Sequence, residues 1–510
     1  MNGKNNKKMV LILILILTAA AGFIAGCGGG TQISTVGSDP QADLSGGEPP
    51  ETDAGPERYS ADYLPAKNFG GYEFRVVAPE KDSIDGLTTD ADIEEINGDI
   101  VNDALYNRNR LIEERYNIKF RQIGVPDFAT LTATFKKCVT AGADDFDLGM
   151  MISRDAWAQA ISGTIISVDN LPYLDISQPW YASEVNAHIS IGGKLYFAYS
   201  DECLNMFEQT LNVMFNKQLA ADLALDNMYT LVSGGKWTVD KFFEFARAAA
   251  ADLDGDGEMT DTDRYGILSQ FDMLYPCFWV SSGIKTVSKD ENDLLVFTGD
   301  SEKLFNILEK THQNIFGGEM IYFDTFQNRI TSYQHQGGDD ARRVSRVQFE
   351  NDKGLFLVMH IGAIPKLRAM DTDFGILPFP KYDEAQEKYY SRVIDGWINC
   401  VPVTNTDPER TSVIMEALAV ESKNFVIPAY FETALRTKHA RDDESQEMLD
   451  IIHANRTMDL GDTFYMTPVR DIYIGVLNGK KNNFASAVER SMNTVNRALQ
   501  TANEAAMALD

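Results

Sequence analysis

From residue 72 onward, the order of hydrophobic and polar residues alternates between strand-like and helix-like patterns. Residues 72–77 form a β-rich run, and residues 102–116 then place Leu105, Ile112 and Tyr116 on one helical face. The alternation continues with a strand at 118–120, a helix at about 129–141, a strand at 146–151 and a helix from about residue 155. This order is typical of a parallel sheet covered on both faces, so it predicts an α/β fold.

The pattern changes further along the chain. A strand-like run at 211–216 precedes a helix that opens after Trp237, with Thr238 as its N-cap, and continues through Arg247. The remaining predictions, in order, are mostly helical patterns to about residue 370, β-rich stretches at 374–378 and 389–399, and helices ending in an amphipathic one at about 484–509.

Charge and cysteine content narrow the classes of function. The 510 residues carry a formal charge of −29, which repels nucleic acid, so we expect no nucleic-acid partner. Apart from Cys27, the cysteines are Cys138, Cys203, Cys277 and Cys400, none of them in a C-x-x-C pair. They are predicted to be buried free thiols, with two disulfides as the alternative.

The first residues have the pattern of a targeting segment. Three lysines, the last of them Lys8, precede an unbroken apolar run at 9–17, and small residues then lead to Cys27. This is the order of a secretory signal peptide, predicted to span residues 1–26. The end of the segment resembles the lipobox of bacterial lipoproteins, which implies that Cys27 carries the lipid; an uncleaved anchor helix is the alternative. Either interpretation places the rest of the chain at the outer face of the cytoplasmic membrane, facing the periplasm where the cell has two membranes.

Residues 27–68 are predicted to form a disordered tether. Most of this segment is Gly, Ser, Thr, Pro, Asp and Glu, with few large apolar side chains before Tyr59. Such a composition buries too little surface to offset the conformational entropy that folding removes.

Five short sequence motifs follow one another between residues 72 and 470. They are Asn-Asp-Ala-Leu-Tyr-Asn-Arg-Asn-Arg at 102–110, Ile-Gly-Gly-Lys-Leu-Tyr at 191–196, Gly-Lys-Trp-Thr at 235–238, Thr-Asp-Phe-Gly-Ile-Leu-Pro-Phe-Pro at 372–380 and Val-Pro-Val-Thr at 401–404. Together they resemble the extracellular solute-binding lipoproteins of bacterial ABC importers, carbohydrate-type family 1. The resemblance implies a periplasmic-binding-protein-like fold, in which two α/β lobes joined by crossing strands hold a solute between them.

The resemblance also implies where the lobes divide and what the chain works with. Lobe one would be residues 69–202 and 373–403, and lobe two residues 203–372 and 404–510. The partners would be a small solute, which the family implies to be a sugar, and an ABC permease in the membrane, and the protein itself would be a monomer.

One acidic stretch has the spacing of a calcium loop. Carboxylates stand at loop positions 1, 3 and 5 (Asp252, Asp254 and Asp256), a glycine at position 6, and Glu258 supplies a backbone carbonyl at position 7. Position 12 is Asp263, shorter than the usual glutamate, and the neighbouring Asp261 could substitute for it. The spacing predicts a structural Ca²⁺ site, with an acidic surface turn as the alternative.

Sugars are bound by aromatic faces and by planar polar side chains, and in open α/β sheets the ligand lies beyond strand ends. The candidate ligand-binding residues in such places are Arg154, Asp155, Trp157, Trp180, Asp201, Glu202, His360, Asp395 and Trp397. Core packing is the alternative for each tryptophan. Trp237 is expected to be structural, and Trp279 suits the cleft and the core equally.

Catalysis has little support in the sequence. The six histidines are scattered without metal-ligand spacing, and neither a G-x-S-x-G elbow nor a Walker loop occurs. The interpretation is therefore a lipid-anchored sugar receptor of an ABC importer, not an enzyme. The alternatives are a receptor for another solute such as a peptide, and a surface carbohydrate-active enzyme.

Overall fold

The structure is a computed structural model that describes residues 58–80, 91–323, 344–431, 435 and 442–509. The predicted signal peptide, Cys27 and residues 27–57 of the predicted tether lie outside the described residues. The prediction of a disordered tether is wrong for residues 58–68, because Ala61 and Leu64 are buried in a core cluster with residues of α12. Among the helices that are described, none combines the length and the apolar character needed to cross a membrane.

Strands and helices alternate along much of the chain. The strands, in chain order, are β1 (Tyr72–Pro79), β2 (Ile118–Val125), β3 (Leu148–Ile152), β4 (Leu211–Asn216), β5 (Tyr265–Ser269), β6 (Val287–Lys289), β7 (Leu295–Phe297), β8 (Ile321–Phe323), β9 (Gly354–His360), β10 (Phe374–Leu377), β11 (Ser391–Arg392), β12 (Trp397–Cys400) and β13 (Arg456–Thr457). The α-helices are α1 (Ile100–Tyr116), α2 (Phe128–Ala141), α3 (Ser153–Ile161), α4 (Ser183–Ile189), α5 (Asn205–Glu208), α6 (Lys217–Asp222), α7 (Met228–Ser233), α8 (Val239–Ala249), α9 (Phe271–Val280), α10 (Glu302–Phe316), α11 (Val344–Glu350), α12 (Pro408–Glu421), α13 (Asp443–Ala454), α14 (Leu460–Thr463), α15 (Asp471–Leu477) and α16 (Phe484–Ala508). Shorter helical segments of 3₁₀ or π type cover Val168–Asn170, Ile361–Ala369, Ser422–Val426 and Met466–Arg470.

The first sheet has the strand order β12-β3-β1-β2. β1 runs parallel to β2 and to β3, whereas β12 is antiparallel to β3. The helices α1 and α2 are the connections between these parallel strands, as the alternating sequence pattern predicted. The predicted α/β class is confirmed in this sheet.

The second sheet has the strand order β10-β4-β9-β5-β8. β9, β5 and β8 are parallel to one another, and β4 is antiparallel to both of its neighbours. The prediction of mostly helical structure up to residue 370 missed β5 and β8. All five residues of β5 are buried, so this strand lacks the alternation of apolar and polar positions that reveals a half-exposed strand.

Two segments pack differently from the predicted division into lobes. Strand β10 pairs with β4 in the second sheet, although residues 373–403 were assigned to lobe one. Helix α12 lies in one core cluster with Phe74 of β1 and Ile112 of α1, although residues 404–510 were assigned to lobe two. Contacts between segments far apart in the chain decided both placements.

The structure bears out several local predictions. Thr238 caps α8, because its hydroxyl accepts a hydrogen bond from the backbone N–H of Lys241 at 3.5 Å. The indole of Trp237 is fully buried and donates to the carbonyl of Pro378 at 3.0 Å, which is a structural role. Trp279 is also fully buried, and its Nε1 donates to Asp459 at 3.1 Å. The four cysteines in the described part of the chain are buried free thiols.

Candidate ligand-binding cleft

Strand ends of both sheets meet where the chain crosses between them, at residues 201–210 before β4 (the first crossing segment) and at residues 391–396 before β12 (the second crossing segment). The backbone N–H of Ser153, directly after β3, donates to the carbonyl of Gly396 at 2.9 Å. The backbone N–H of Ile361, directly after β9, donates to the carbonyl of Thr210 at 2.8 Å, and Thr210 forms a bridge with Val393. The carboxyl ends of β3 and β9 are therefore linked through the crossing segments. Because ligands of open α/β sheets bind beyond such ends, this edge is the candidate cleft.

A buried ion pair ties the second crossing segment to α14 and α9. The guanidinium of Arg392 donates to Asp462 through Nε at 2.6 Å and Nη2 at 2.9 Å, and through Nη1 to the carbonyl of Met273 at 3.0 Å. Met273 belongs to the first turn of α9, which follows β5. The hydroxyl of Thr463 donates to the carbonyl of Ile394 at 3.3 Å. These bonds hold the start of α9, the end of α14 and the crossing segment in one unit.

Aromatic rings border this edge from both sheets. The ring of Trp397, at the start of β12, lies 4.5 Å from that of half-buried Phe128, centroid to centroid, with 31° between the planes. Trp157, in the helix after β3, stacks on half-buried Phe464 at 4.8 Å and 10°. Half-buried Phe271 begins α9, two residues after the end of β5. The half-buried rings of Phe128, Phe271 and Phe464 leave apolar surface at this edge, of the kind that stacks on a sugar ring.

The sequence prediction missed Phe128, Phe271 and Phe464. Phe128 follows β2 and Phe271 follows β5 within a few residues. The rule that placed Trp157 would have found them had the full length of β2 and the existence of β5 been recognised. Phe464 had no such signal, since it reaches the edge only through its contact with Trp157 from another part of the chain.

The three predicted tryptophans are all buried. Trp157 and Trp397 are each 3% exposed and Trp180 is 1% exposed. The Nε1 of Trp157 donates to the hydroxyl of Tyr465 at 3.2 Å, and that of Trp180 donates to Glu416 at 2.9 Å. Trp180 is part of the core cluster beside α12, so core packing accounts for it.

Two predicted polar residues, Arg154 and Asp155, lie half-buried at the start of α3. The Nε of Arg154 is 3.5 Å from the carboxylate of Asp155, and the guanidinium lies 5.9 Å from the centroid of the Phe128 ring. Asp155 also accepts a hydrogen bond from the hydroxyl of Thr132 at 2.9 Å. These groups sit next to the aromatic pair, where they can hydrogen-bond to ligand hydroxyls.

Asp395 is buried at the point where the crossing segment meets β3. Its Oδ1 accepts the backbone N–H groups of Ser153 at 3.0 Å and Gly396 at 2.9 Å, as well as the hydroxyl of Ser153. Removal from water raises the pKa of this carboxyl to about 6, against the lowering effect of these hydrogen bonds. The geometry makes Asp395 a support for the cleft edge.

The other predicted residues lie at the first crossing and at the end of β9. Asp201 pairs with the ammonium of Lys423 at 3.1 Å, and burial raises its pKa. Burial also raises the pKa of Glu202, which the nearby Arg108 opposes. His360 is the half-buried last residue of β9, opposite Leu211 of β4.

The acidic loop gathers three carboxylate oxygens of the kind that a hard cation prefers. One carboxylate oxygen from each of Asp252, Asp254 and Asp256 lies within 4.8 Å of the others, and all three residues are exposed. Buried Asp263 accepts the backbone N–H groups of Leu253 at 2.8 Å and Thr260 at 2.7 Å, which lower its pKa. Asp263 therefore joins the two ends of the loop, and the donor set fits Ca²⁺.

Two α/β sheets whose strand ends meet at shared crossing segments define a fold of the periplasmic-binding-protein type. No family model matches the chain, and no curated protein matches it in sequence. In fold it is similar to a cyclo/maltodextrin-binding protein complexed with maltotetraose, with a TM-score of 0.56 at 13% identity over 84% of this chain and 97% of that one.

Two further solved structures show the same likeness. The GacH receptor of Streptomyces glaucescens, solved unliganded and with acarbose, has a TM-score of 0.54 at 13% identity, over 84% of this chain and 99% of that one. A maltose/maltodextrin-binding domain from Bdellovibrio bacteriovorus bound to maltotriose has a TM-score of 0.53 at 13% identity, over 84% and 100%. At this identity the likeness establishes the fold, and the predicted two-lobed fold class is confirmed.

Proposed function

We propose that the protein is a receptor that captures a sugar or oligosaccharide in the candidate cleft and delivers it to an ABC permease, without catalysing a reaction. The observation that carries the proposal is the half-buried ring of Phe128, which packs on buried Trp397 and has Arg154 and Asp155 beside it, at the edge where β2 and β3 end. Apolar ring faces flanked by a few polar groups suit saccharides. The fold shared with proteins that were solved with maltotetraose and maltotriose supports the same ligand class.

Thermal-shift screening against a panel of glycans and peptides tests the proposal, with product analysis on the same samples. We expect at least one glycan to raise the melting temperature and to be recovered unchanged. Stabilisation by peptides alone would identify a different kind of receptor. Release of product from any glycan would identify a carbohydrate-active enzyme.

Replacing Phe128 by alanine is expected to weaken binding of the stabilising glycan about tenfold, because the loss of one aromatic stacking partner is worth up to about 1.5 kcal/mol. Isothermal titration measures the change. The matched control is Phe316→Ala, which removes a ring that is 38% exposed at the end of α10 and outside the strand ends. Equal affinities of the two variants would argue against the cleft assignment.

We also propose that Cys27 anchors the protein through a lipid at the outer face of the cytoplasmic membrane. The support is the order of lysines, apolar run and small residues before Cys27. A Cys27→Ala variant is expected to be shed into the medium or to keep its signal peptide, as measured by fractionation and intact mass. A variant that stays in the membrane with its signal removed would contradict this assignment.

The acidic loop is proposed to hold a structural Ca²⁺ through Asp252, Asp254 and Asp256, with the carbonyl of Glu258 and with Asp263 completing the loop. Calcium at a hundredfold excess over its Kd would then stabilise the fold by about 2.7 kcal/mol. The melting temperature should rise with calcium and fall with excess chelator. An Asp256→Asn variant should lose most of this response, whereas Asp145→Asn, which removes an exposed carboxylate outside the loop, should keep it. A melting temperature that chelator leaves unchanged would refute the site.

A further inference from the structure

A small pocket lies on the inner side of Trp397, between the first sheet, α1 and the first crossing segment. We call it the polar pocket. Its polar lining residues are Arg108, Glu202, Asn205, Trp397 and Asn399, and the remaining wall is mainly apolar. Its volume of about 40 Å³ accommodates about three water-sized groups, far less than a whole sugar ring requires.

Two buried polar atoms of the lining have no hydrogen-bond partner in the described part of the chain. They are Nε1 of Trp397, a residue that is 3% exposed, and Oδ1 of Asn399, which is 7% exposed. One is a donor and the other an acceptor. Leaving such groups unpaired costs about 1–3 kcal/mol each, so the pocket favours an occupant that can satisfy both.

The charges around the polar pocket balance. The guanidinium of Arg108 donates to Asn109 at 3.0 and 2.8 Å and to Ser422 at 3.0 Å, and the carboxylate of Glu202 offsets its charge. Burial lowers the pKa of Arg108 to about 10, which leaves it charged at neutral pH. A neutral occupant keeps this balance, whereas an anion or a cation would leave one buried charge uncompensated.

We propose that the polar pocket is a subsite for a hydroxyl or hydroxymethyl group of a neutral saccharide bound in the cleft, an inference that rests on the proposed function. A single hydroxyl can accept from Trp397 Nε1 and donate to Asn399 Oδ1 at once, because it is both a donor and an acceptor. A hydroxymethyl group fits the volume. The indole of Trp397 borders both sites, since its ring packs on Phe128 and its edge lines the pocket.

The test is a Trp397→Phe variant, which keeps an aromatic face and removes the indole N–H. Maltotetraose, cellobiose, trehalose and chitobiose are titrated calorimetrically against the wild type and the variant. For the saccharide that binds, we expect the variant to lose about five- to tenfold in affinity, the size of one hydrogen bond. Without ligand, its melting temperature should fall less than that of Trp237→Phe, because both changes shrink a buried ring but the donor removed from Trp397 had no partner in the described structure.

Trp237→Phe is the matched control, since the indole N–H of Trp237 is bonded to Pro378. This change should lower the melting temperature and leave affinity unchanged. Asn399→Ala, which removes the other unpaired atom together with the side-chain hydrogen bond to Glu202, is the second variant in case Trp397→Phe does not fold.

A set of monodeoxy analogues of the bound saccharide sharpens the result. One analogue, which lacks the hydroxyl that enters the polar pocket, should bind the wild type more weakly than the parent sugar does. The same analogue should bind Trp397→Phe as tightly as the parent sugar does. If the wild type binds a saccharide and both pocket variants bind it equally well, the polar pocket holds only water and the subsite is refuted. If the wild type binds none of the four saccharides or the other glycans of the screening panel, the proposed function fails, and the subsite fails with it.

Discussion

Replacing Arg392 by methionine is expected to destabilise the folded protein by about 3–5 kcal/mol, the usual cost of leaving one member of a buried ion pair without its partner. The side chains of Arg392 and Asp462 are 1% and 0% exposed, and two hydrogen bonds join them. The substitution would leave the Asp462 carboxylate buried without a cation. It would also free the carbonyl of Met273, so the crossing segment would lose its attachment to α9.

Urea unfolding followed by circular dichroism measures this effect as a shift of the midpoint. The matched control is Lys310→Met, which breaks the pair with Asp240 at 2.9 Å, in which the side chains are 31% and 71% exposed. Exposed pairs contribute at most about 1 kcal/mol. The double variant Arg392→Met/Asp462→Leu should recover much of the loss, because it removes both buried charges together. A shift for Arg392→Met no larger than that for Lys310→Met would refute the structural role of the pair.

Asp395→Asn is expected to remove a pH-dependent loss of stability between about pH 4 and pH 6. The folded protein raises the pKa of Asp395 from its ordinary value of 3.8 to about 6. The folded state therefore binds this proton more tightly than the unfolded state does, and the stabilisation is fully present below pH 4. As the pH rises to 6 the wild type loses about 3 kcal/mol, since each unit of pKa difference corresponds to about 1.4 kcal/mol.

Melting temperatures of the wild type and of Asp395→Asn, measured from pH 3.5 to pH 7, test this prediction. Groups that titrate in both proteins affect both melting temperatures equally, so their effects cancel in the difference between the two. Asparagine keeps the Oδ1 that accepts from the backbone N–H groups of Ser153 and Gly396. The stability of Asp395→Asn relative to the wild type should therefore rise from pH 4 to pH 6 and then level off. Ser153→Ala removes a hydrogen bond that lowers the pKa of Asp395, and should move the upper limit of the transition to higher pH. A difference that does not change with pH would show that Asp395 does not titrate in this range.

The sequence by itself determined the features that depend on near neighbours in the chain. The alternation of patterns predicted β1, α1, β2, α2 and β3, because the strand and helix periods are local properties. The N-cap at Thr238 could be predicted from that residue and the first turn of the helix after it. The spacing of Asp252, Asp254 and Asp256 gathers their carboxylates in one turn of the loop. The rule that ligands bind beyond strand ends selected Arg154 and Asp155, which follow β3 at the candidate cleft. Trp397 was expected to end a strand but begins β12, and it reaches the same edge because β12 is antiparallel to β3.

The tertiary structure alone decided which of these side chains are exposed and what they contact. Trp180 lies in the core cluster beside α12, where Glu416, 236 residues away, accepts its N–H. Arg392 and Asp462 are 70 residues apart, and no local pattern pairs them. Strand β10 joined the second sheet through its pairing with β4. In each case the burial or pairing of a residue depends on which distant segment packs against it. A polar group can be buried only where that segment supplies a hydrogen-bond or ion-pair partner for it.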